Sequence, residues 1–509
     1  MAHEKMLEEL SVRKAKALGM GGPDKLAKRA APGVLDARSR LDLLLDEGSF
    51  VESGLFATSF RAEDRDRTPA DGKVAGFGRI EGRDVGVVSN DFTVLGASSS
   101  QINGKKIKHV KDIANAKGLP MVFLGESAGA RIPDRMGSAG RAILGQDPTE
   151  YQRIRTSPWV SAQLGACFGS STWYGCMSDF VVMRKGALMA VASHRVTSSA
   201  ISQEVDPEEL GGWKLLTGVS GLVDVAVDTD AEAIDTVKCF LSYLPSNCNE
   251  APPVLDASKV AAHDQGRLLE ILPELRTKVY DARKLAEVIV DVDSLFEMKP
   301  KFGRSIMTAL ARIDGRTVGI IANNPMFKGG AIDVDACNKA TSFLVFCDSF
   351  NVPIILMVDQ PGFLIGLEGE KRGAAGRIIN WMNALALVTV PKLSIIVRKS
   401  YGQAYLNMGG GRNSDEVAAW PTADLGFMDP KVGASVLARE GESSEATKSK
   451  SDSLVRDTTA WGLASLYEAH TVLDPRDTRG WLAAMLDVHR SKLTRGVGQH
   501  RLANWPTSY

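Results

Sequence analysis

Cysteine is sparse in this chain and scattered: the six residues stand at 167, 176, 239, 248, 337 and 347, with no C-x-x-C pair. That spacing excludes a zinc ribbon and makes a reducing cytosol the expected compartment. Excess charge is missing too. Lys plus Arg and Asp plus Glu each number 61, so no electrostatic footprint points to nucleic acid or an acidic membrane surface. Long apolar runs are also lacking. Met1 to Leu10 is charged and unlike a secretory signal. The longest charge-free stretch, Thr156 to Ser178, is rich in Gly and Ser and contains Pro158, which reads as core and loop rather than a membrane span. No His/Cys/Glu cluster has metal-ligand spacing, so no metal is expected.

What is present is an ordinary globular composition, 44% apolar and 24% charged. A length of 509 residues implies two or more domains. The chain also repeats itself. Gly82-Arg83-Asp84-Val85-Gly86-Val87-Val88-Ser89-Asn90 matches Gly315-Arg316-Thr317-Val318-Gly319-Ile320-Ile321-Ala322-Asn323, an offset of 233 residues. The same offset aligns Leu119–Leu124 with Val352–Met357, Gly129 with Gly362, and Gly169 with Gly402. A constant offset over this span implies two copies of one α/β unit. Helical segments, Asn103–Ala116 and Ala336–Asp348, precede the matched apolar strands, which predicts a wound, mostly parallel sheet in each half. The expected division is an N-terminal helical arm over 1–55, one unit over 56–250 and a second over 251–509, with Ser246–Pro253 as linker.

The central stretch is Asn351 to Arg377: an apolar run, Ile354–Val358, then Asp359-Gln360-Pro361-Gly362 and a glycine-punctuated lead into a helix. Its twin, Gly125-Glu126-Ser127-Ala128-Gly129, fits the G-x-S-x-G nucleophile elbow after a strand. The second copy has no serine there, so the shared requirement is the turn, although a serine hydrolase through Ser127, with His194 or His470 completing a triad, is an alternative. Further on, Gly140 aligns with Gly373. Paired glycine-flanked amides at corresponding helix starts are what two oxyanion holes need; tight packing is the simpler reading. Gly96 to Lys106, ending in Lys105-Lys106, could cradle a nucleotide diphosphate or be a surface loop. Tyr401–Tyr405 and Gly409–Arg412 offer close backbone approach or simply turns.

These residues bring a family into view. D-F-T-V-L-G (91–96), S-A-G-A-R-I (127–132), E-E-L-G-G (208–212), A-N-N-P-M (322–326), D-Q-P-G-F-L-I-G (359–366), R-K-S-Y-G-Q-A-Y (398–405) and A-W-P-T-A (419–423) are similar to those of the carboxyltransferase (β) subunit of biotin-dependent acyl-CoA carboxylases. The resemblance covers nearly the whole chain. It implies two tandem crotonase-like (spiral ββα) domains, with a coenzyme A thioester bound in the first half and carboxybiotin in the second. It implies active sites between subunits of a hexamer, a trimer of dimers. It also implies a partner biotin carboxylase or biotin carboxyl carrier subunit, since no A-M-K-M-like biotinylation site is present. The implied reaction moves CO2 from carboxybiotin to the α-carbon, or vinylogous carbon, of an acyl-CoA; a decarboxylase component of the same fold is the alternative, and a non-catalytic CoA-binding scaffold a third. On this reading the Gly140 and Arg141 amides serve the thioester and the Gly373 and Ala374 amides serve biotin. Gly96, Lys105, Lys106, Ala128, Gly129 and Gly169, with Gly362, Phe363, Gly366 and Gly402, shape the binding turns. The chain departs from the family pattern at S-A-G-A-R-I-P-D-R, at Leu364-Ile365-Gly366 and at Met408-Gly409-Gly410-Gly411-Arg412, which makes Glu368 and Arg412 candidates for selecting a polar or larger acyl group.

Overall fold

A computed structural model of the chain describes residues 2–143, 149–438, 443–455, 458–490 and 500–505. The chain divides into two compact units. One runs to Ser242 and includes Ser246–Cys248; the other comprises Tyr243–Pro245 and the residues from Asn249 to Trp505. Residues before 56 group with the first unit rather than standing apart as an arm. The reason is Arg40, in the Ala37–Leu44 helix, whose guanidinium is fully buried and ion-paired inside that unit.

The first unit is built on β1 (Val51–Glu52), β2 (Lys73–Ile80), β3 (Arg83–Asn90), β4 (Met121–Ser127), β5 (Trp159–Phe168), β6 (Phe180–Arg184), β7 (Leu188–Ala190) and β8 (Val225–Val227). Its sheet runs β1-β2-β3-β4-β5-β6-β8, with β7 on β5. β1, β2 and β3 pair antiparallel; from β3 onward every pairing is parallel. All seven residues of β4 are buried, as expected of a strand covered on both faces.

The second unit repeats this with β9 (Phe296–Met298), β10 (Ile306–Ile313), β11 (Arg316–Asn323), β12 (Ile354–Gln360), β13 (Lys392–Tyr401), β14 (Glu416–Ala419), β15 (Asp424–Gly426) and β16 (Thr471–Val472). The order is β9-β10-β11-β12-β13-β14-β16, with β15 on β13. Register is repeated as well as order. Lys73 faces Asn90 and Ile306 faces Asn323; Gly86 faces Met121 and Gly319 faces Ile354; Met121 faces Trp159 and Ile354 faces Lys392. Even the irregularity recurs, between Gly125 and Ser127 and between Val358 and Gln360.

The helices before the central strands are Gln101–Lys117 and Val334–Ser349, slightly longer than the sequence pattern suggested. Ser100 caps the first in a reciprocal capping box with Asn103, and Asp333, at the equivalent position, caps the second through the Ala336 amide. Each helix then buries a lysine. Lys106 Nζ donates to the Ala70 and Lys73 carbonyls, and Lys339 Nζ to those of Lys299, Phe302 and Ile306. Lys106 therefore faces the interior and ties its helix to the start of β2, which is a structural task rather than contact with a phosphate. Burial pulls its ammonium down to about 8.

Candidate active site

In parallel α/β sheets, ligands gather beyond the carboxyl ends of the strands. Here β4 and β12 each end in a glycine turn pinned to the preceding loop. The Ser99 amide donates to the Gly129 carbonyl and the Arg131 amide to Ser99; likewise Ile332 donates to Gly362 and Leu364 to Ile332. Gly96 also belongs to this arrangement. Its carbonyl accepts from the Ala128 amide, and a Cβ on it would stand 2.9 Å from that of Ala128. Gly129 and Gly362 have φ of 101° and 126°, a region L side chains avoid.

The helix starts differ from the alignment. Gly373 is the N-cap of Ala374–Leu387, with φ 72°. The residue with that conformation in the first unit is Gly137 (φ 76°), which opens the Gly137–Ile143 helix. Gly140 is the fourth residue of that helix and has no left-handed φ; a Cβ there would lie 2.5 Å from the Arg135 carbonyl carbon and oxygen. Close packing alone requires that glycine. Arg141 follows it in the same helix. In the second unit the Gly373 amide donates to the Glu370 carbonyl. Ala374, as the first helical residue, has no carbonyl within its own helix to receive its amide. Where Cβ atoms would stand on Gly362, Gly366 and Gly373 there is open space, so a ligand can approach this backbone closely.

Each unit carries a cavity, the first beside its turn and the second along β13 rather than at the Gly362–Gly373 backbone. In the first, about 430 Å³ is lined by Ser99, Lys105, Ala130, Arg135, Gly169 and Trp173, among others. It brings together the predicted Lys105 and Gly169. In the second, about 670 Å³ is lined by Gly402 and Arg412, with Ile396, Phe427 and Tyr467. Glu368 lies elsewhere, on the exposed Leu367–Lys371 helix, paired with Lys371 at 3.0 Å. Phe363 is half-buried in the bridge to Ile332. Sequence reasoning reached Ala130 and Arg135 only as members of S-A-G-A-R-I-P-D-R, without a role, and missed Trp173. It also missed Phe427 and Tyr467, which reach their cavity from segments with no motif of their own.

Comparison with known proteins fits this geometry. The model of the carboxyl transferase domain family matches residues 28–494. The chain belongs to the carboxyl transferase family. It is 34% identical to the propionyl-CoA carboxylase carboxyltransferase subunit of Haloferax mediterranei over 505 residues, covering 97% of each chain. It is 34% identical to the propionyl-CoA carboxylase beta chain of Roseobacter denitrificans, covering 96% of this chain and 97% of the other. Among solved structures, the transcarboxylase 12S hexamer with methylmalonyl-coenzyme A bound superposes with a TM-score of 0.90 at 32% identity, covering 96% of each chain. The fold is accordingly crotonase-like in both units. The activity is that of a biotin-dependent acyl-CoA carboxyltransferase.

For a carboxyltransferase, Ser127 is scaffold. It is fully buried, donates to the Ala97 carbonyl at 3.1 Å and accepts from the Gly129 amide at 3.2 Å. No imidazole bonds it among the described residues, and His470 instead meets Glu416 at 2.7 Å. The hydrolase reading is not favoured. The neighbouring acid matters more. Glu126 is buried, with Arg29 bonded to both its oxygens and Arg40 at 2.8 Å. Burial opposes the charge on Arg40, but Glu126 and Asp230 outweigh it and raise its pKa. The equivalent acid, Asp359, is held by Arg398 and by the Lys399 amide. Both acids anchor the strand ends from which the glycine turns depart.

Proposed function

We propose that the first unit binds the acyl-CoA thioester and the second takes carboxybiotin from a partner biotin carboxylase or carrier subunit, the carboxyl group ending on the α-carbon of the acyl group. The observation that carries this is the duplicated turn, the same glycine geometry at the carboxyl ends of β4 and β12. Two similar backbone sites suit a reaction in which two carbonyl oxygens become anionic in turn. The fit for the biotin ureido group rests on the open backbone at Gly362, Gly366 and Gly373 and on the first-turn amide of Ala374. When bound, carboxybiotin supplies activated CO2 and then a base for the α-proton.

The chain's own contribution is backbone electrostatics. Fixed amides aimed at a developing oxyanion in a site sheltered from water need no reorganisation, and one such donor is worth about 3 kcal/mol. In the first unit the candidates are the amides opening the Gly137–Ile143 helix, with those around Ala130 and Gly169; Gly140 and Arg141 lie one turn on. Lys105, exposed beside the cavity, suits the coenzyme A phosphates. A hexamer is proposed by likeness to the transcarboxylase 12S assembly. A cytoplasmic location is proposed from the sparse, scattered cysteines with no C-x-x-C pair; no described helix is long and apolar enough to cross a membrane.

The test uses the purified chain with free biotin and malonyl-CoA, methylmalonyl-CoA and longer carboxylated thioesters. Biotin-dependent decarboxylation is expected. Biotin-independent loss of CO2 would replace this reading with that of a decarboxylase. Tight coenzyme A binding without turnover, given a competent partner, would reduce the chain to a scaffold.

A further inference from the structure

We propose that Lys73 is a positioning residue for the thioester site of the first unit: from the start of β2 its side-chain nitrogen holds the Ala97 carbonyl, and with it the left-handed turn that carries Gly96 and Ser99 into that site. This rests on the assignment of the acyl-CoA thioester to the first unit.

Lys73 is buried and does not line the first unit's cavity. It acts through one bond. Its Nζ donates to the Ala97 carbonyl at 2.8 Å, and the nearby Asp71 carboxylate is taken by Arg131 at 2.6 Å, by the Asn103 amide at 3.1 Å and by the Ser100 hydroxyl. Leu95, Gly96 and Ala97 have φ of 47°, 62° and 47°, and an L residue such as Ala97 keeps that conformation only under constraint. The turn leads directly into the site. The Gly96 carbonyl accepts from the Ala128 amide, and the Ser99 backbone bonds Gly129 and Arg131. The Ser99 and Ser170 hydroxyls meet at 2.6 Å, beside Gly169. Ser99, Ala130, Gly169 and Ser170 all line the cavity, so release of Ala97 reaches both of its edges.

The internal duplication supplies a control, because the second unit makes the same turn without a lysine. Lys328, Gly329 and Gly330 have φ of 53°, 63° and 84°. The Gly330 and Ala331 amides donate to Phe327 and Lys328 as those of Ala97 and Ser98 donate to Val94 and Leu95. Ile306 faces Asn323 there as Lys73 faces Asn90. The third turn residue is now glycine, for which a left-handed φ carries no steric cost; a Cβ on it would also stand 2.5 Å from the Asp359 carbonyl oxygen. The copy that ends its turn in alanine has the lysine, and the copy that ends it in glycine has isoleucine. Filling space does not require the lysine, since an aliphatic side chain occupies its place in the second copy and burial opposes its charge.

The experiment compares the full-length wild type with Lys73→Met, Lys73→Ile and the double variant Lys73→Ile with Ala97→Gly, which copies the second unit's pair. Biotin-dependent decarboxylation of malonyl-CoA gives a KM for each substrate, and calorimetry gives the Kd of acetyl-CoA. Both single variants are expected to raise the KM for malonyl-CoA and the Kd of acetyl-CoA about tenfold, with the KM for free biotin within about twofold of wild type. The double variant should recover most of the loss. Unchanged thioester values in folded single variants overturn the proposal. So does an equal rise in the two KM values, which a general loosening of the fold would give, or a double variant that recovers nothing. If neither single variant folds and Ala97→Gly does not restore folding, the lysine holds the fold as a whole and the proposal fails. A wild type that binds acetyl-CoA without biotin-dependent turnover refutes the carboxyltransferase reading alone, and the calorimetric comparison then decides the role of Lys73. A wild type that neither binds nor turns over overturns both.

Discussion

Replacing Ala374 by proline removes one N–H and little else. Ala374 is the first residue of its helix, where the amide has no intrahelical acceptor and proline is tolerated. Its side chain is only partly buried. The local cost comes from Gly373, which precedes the new proline in a left-handed conformation; restriction of that residue costs about 1–2 kcal/mol. If the Ala374 amide stabilises the oxyanion on the biotin side, its loss raises the barrier by about 3 kcal/mol, a fall of about a hundredfold in kcat. Ala374→Gly keeps the donor and serves as control, at roughly 1 kcal/mol of helix propensity or less. The assay is biotin-dependent decarboxylation of the best carboxylated thioester, with thermal melting alongside. The expected pattern is a proline variant that melts within several degrees of wild type yet turns over about a hundredfold more slowly, and a near-normal glycine variant. A folded Ala374→Pro protein with kcat within threefold of wild type would refute the assignment of this amide.

Glu126→Ala leaves Arg40 buried beside an incomplete set of partners, so chemical denaturation should show a loss of about 3–5 kcal/mol, whereas Glu9→Ala, at the exposed pair with Arg13, should cost no more than about 1 kcal/mol. Ser127→Ala should keep carboxyltransferase turnover within about threefold, and a serine-directed phosphonate should label neither protein; loss of all turnover with loss of labelling would restore the hydrolase reading. Gly140→Ala should destabilise by about 1–3 kcal/mol because its methyl meets the Arg135 backbone, while Gly373→Ala, with open space beside it, should cost only about 1 kcal/mol of conformational strain. Burial lowers the Lys73 ammonium to about 7. From there up to the unfolded value near pH 10.4 the unfolded chain holds the extra proton, so this residue's contribution to stability rises with pH, by at most about 1.4 kcal/mol per unit. Wild type should therefore gain on Lys73→Met between pH 7 and 9 in urea titrations; a constant difference would contradict this.

The duplication and its consequences for the two sheets were legible in the residues alone. An offset of 233 residues in strands of apolar, β-branched residues becomes the same register in two sheets, because a strand's inward and outward faces alternate residue by residue and a slip would turn the core outward. The left-handed glycines at the strand ends were legible for a similarly local reason. Other features depend on neighbours distant in the chain, and these only the folded molecule reveals. Gly140 and Gly373 share an alignment column, but packing alone shows that one avoids the Arg135 backbone while the other turns a helix start toward open space. Lys105 and Lys106 are adjacent, and the helix sends one to the cavity and the other to interior carbonyls, since successive residues lie about 100° apart around its axis. Arg29 and Arg40 find Glu126 across some ninety residues, and no periodicity announces a buried ion pair.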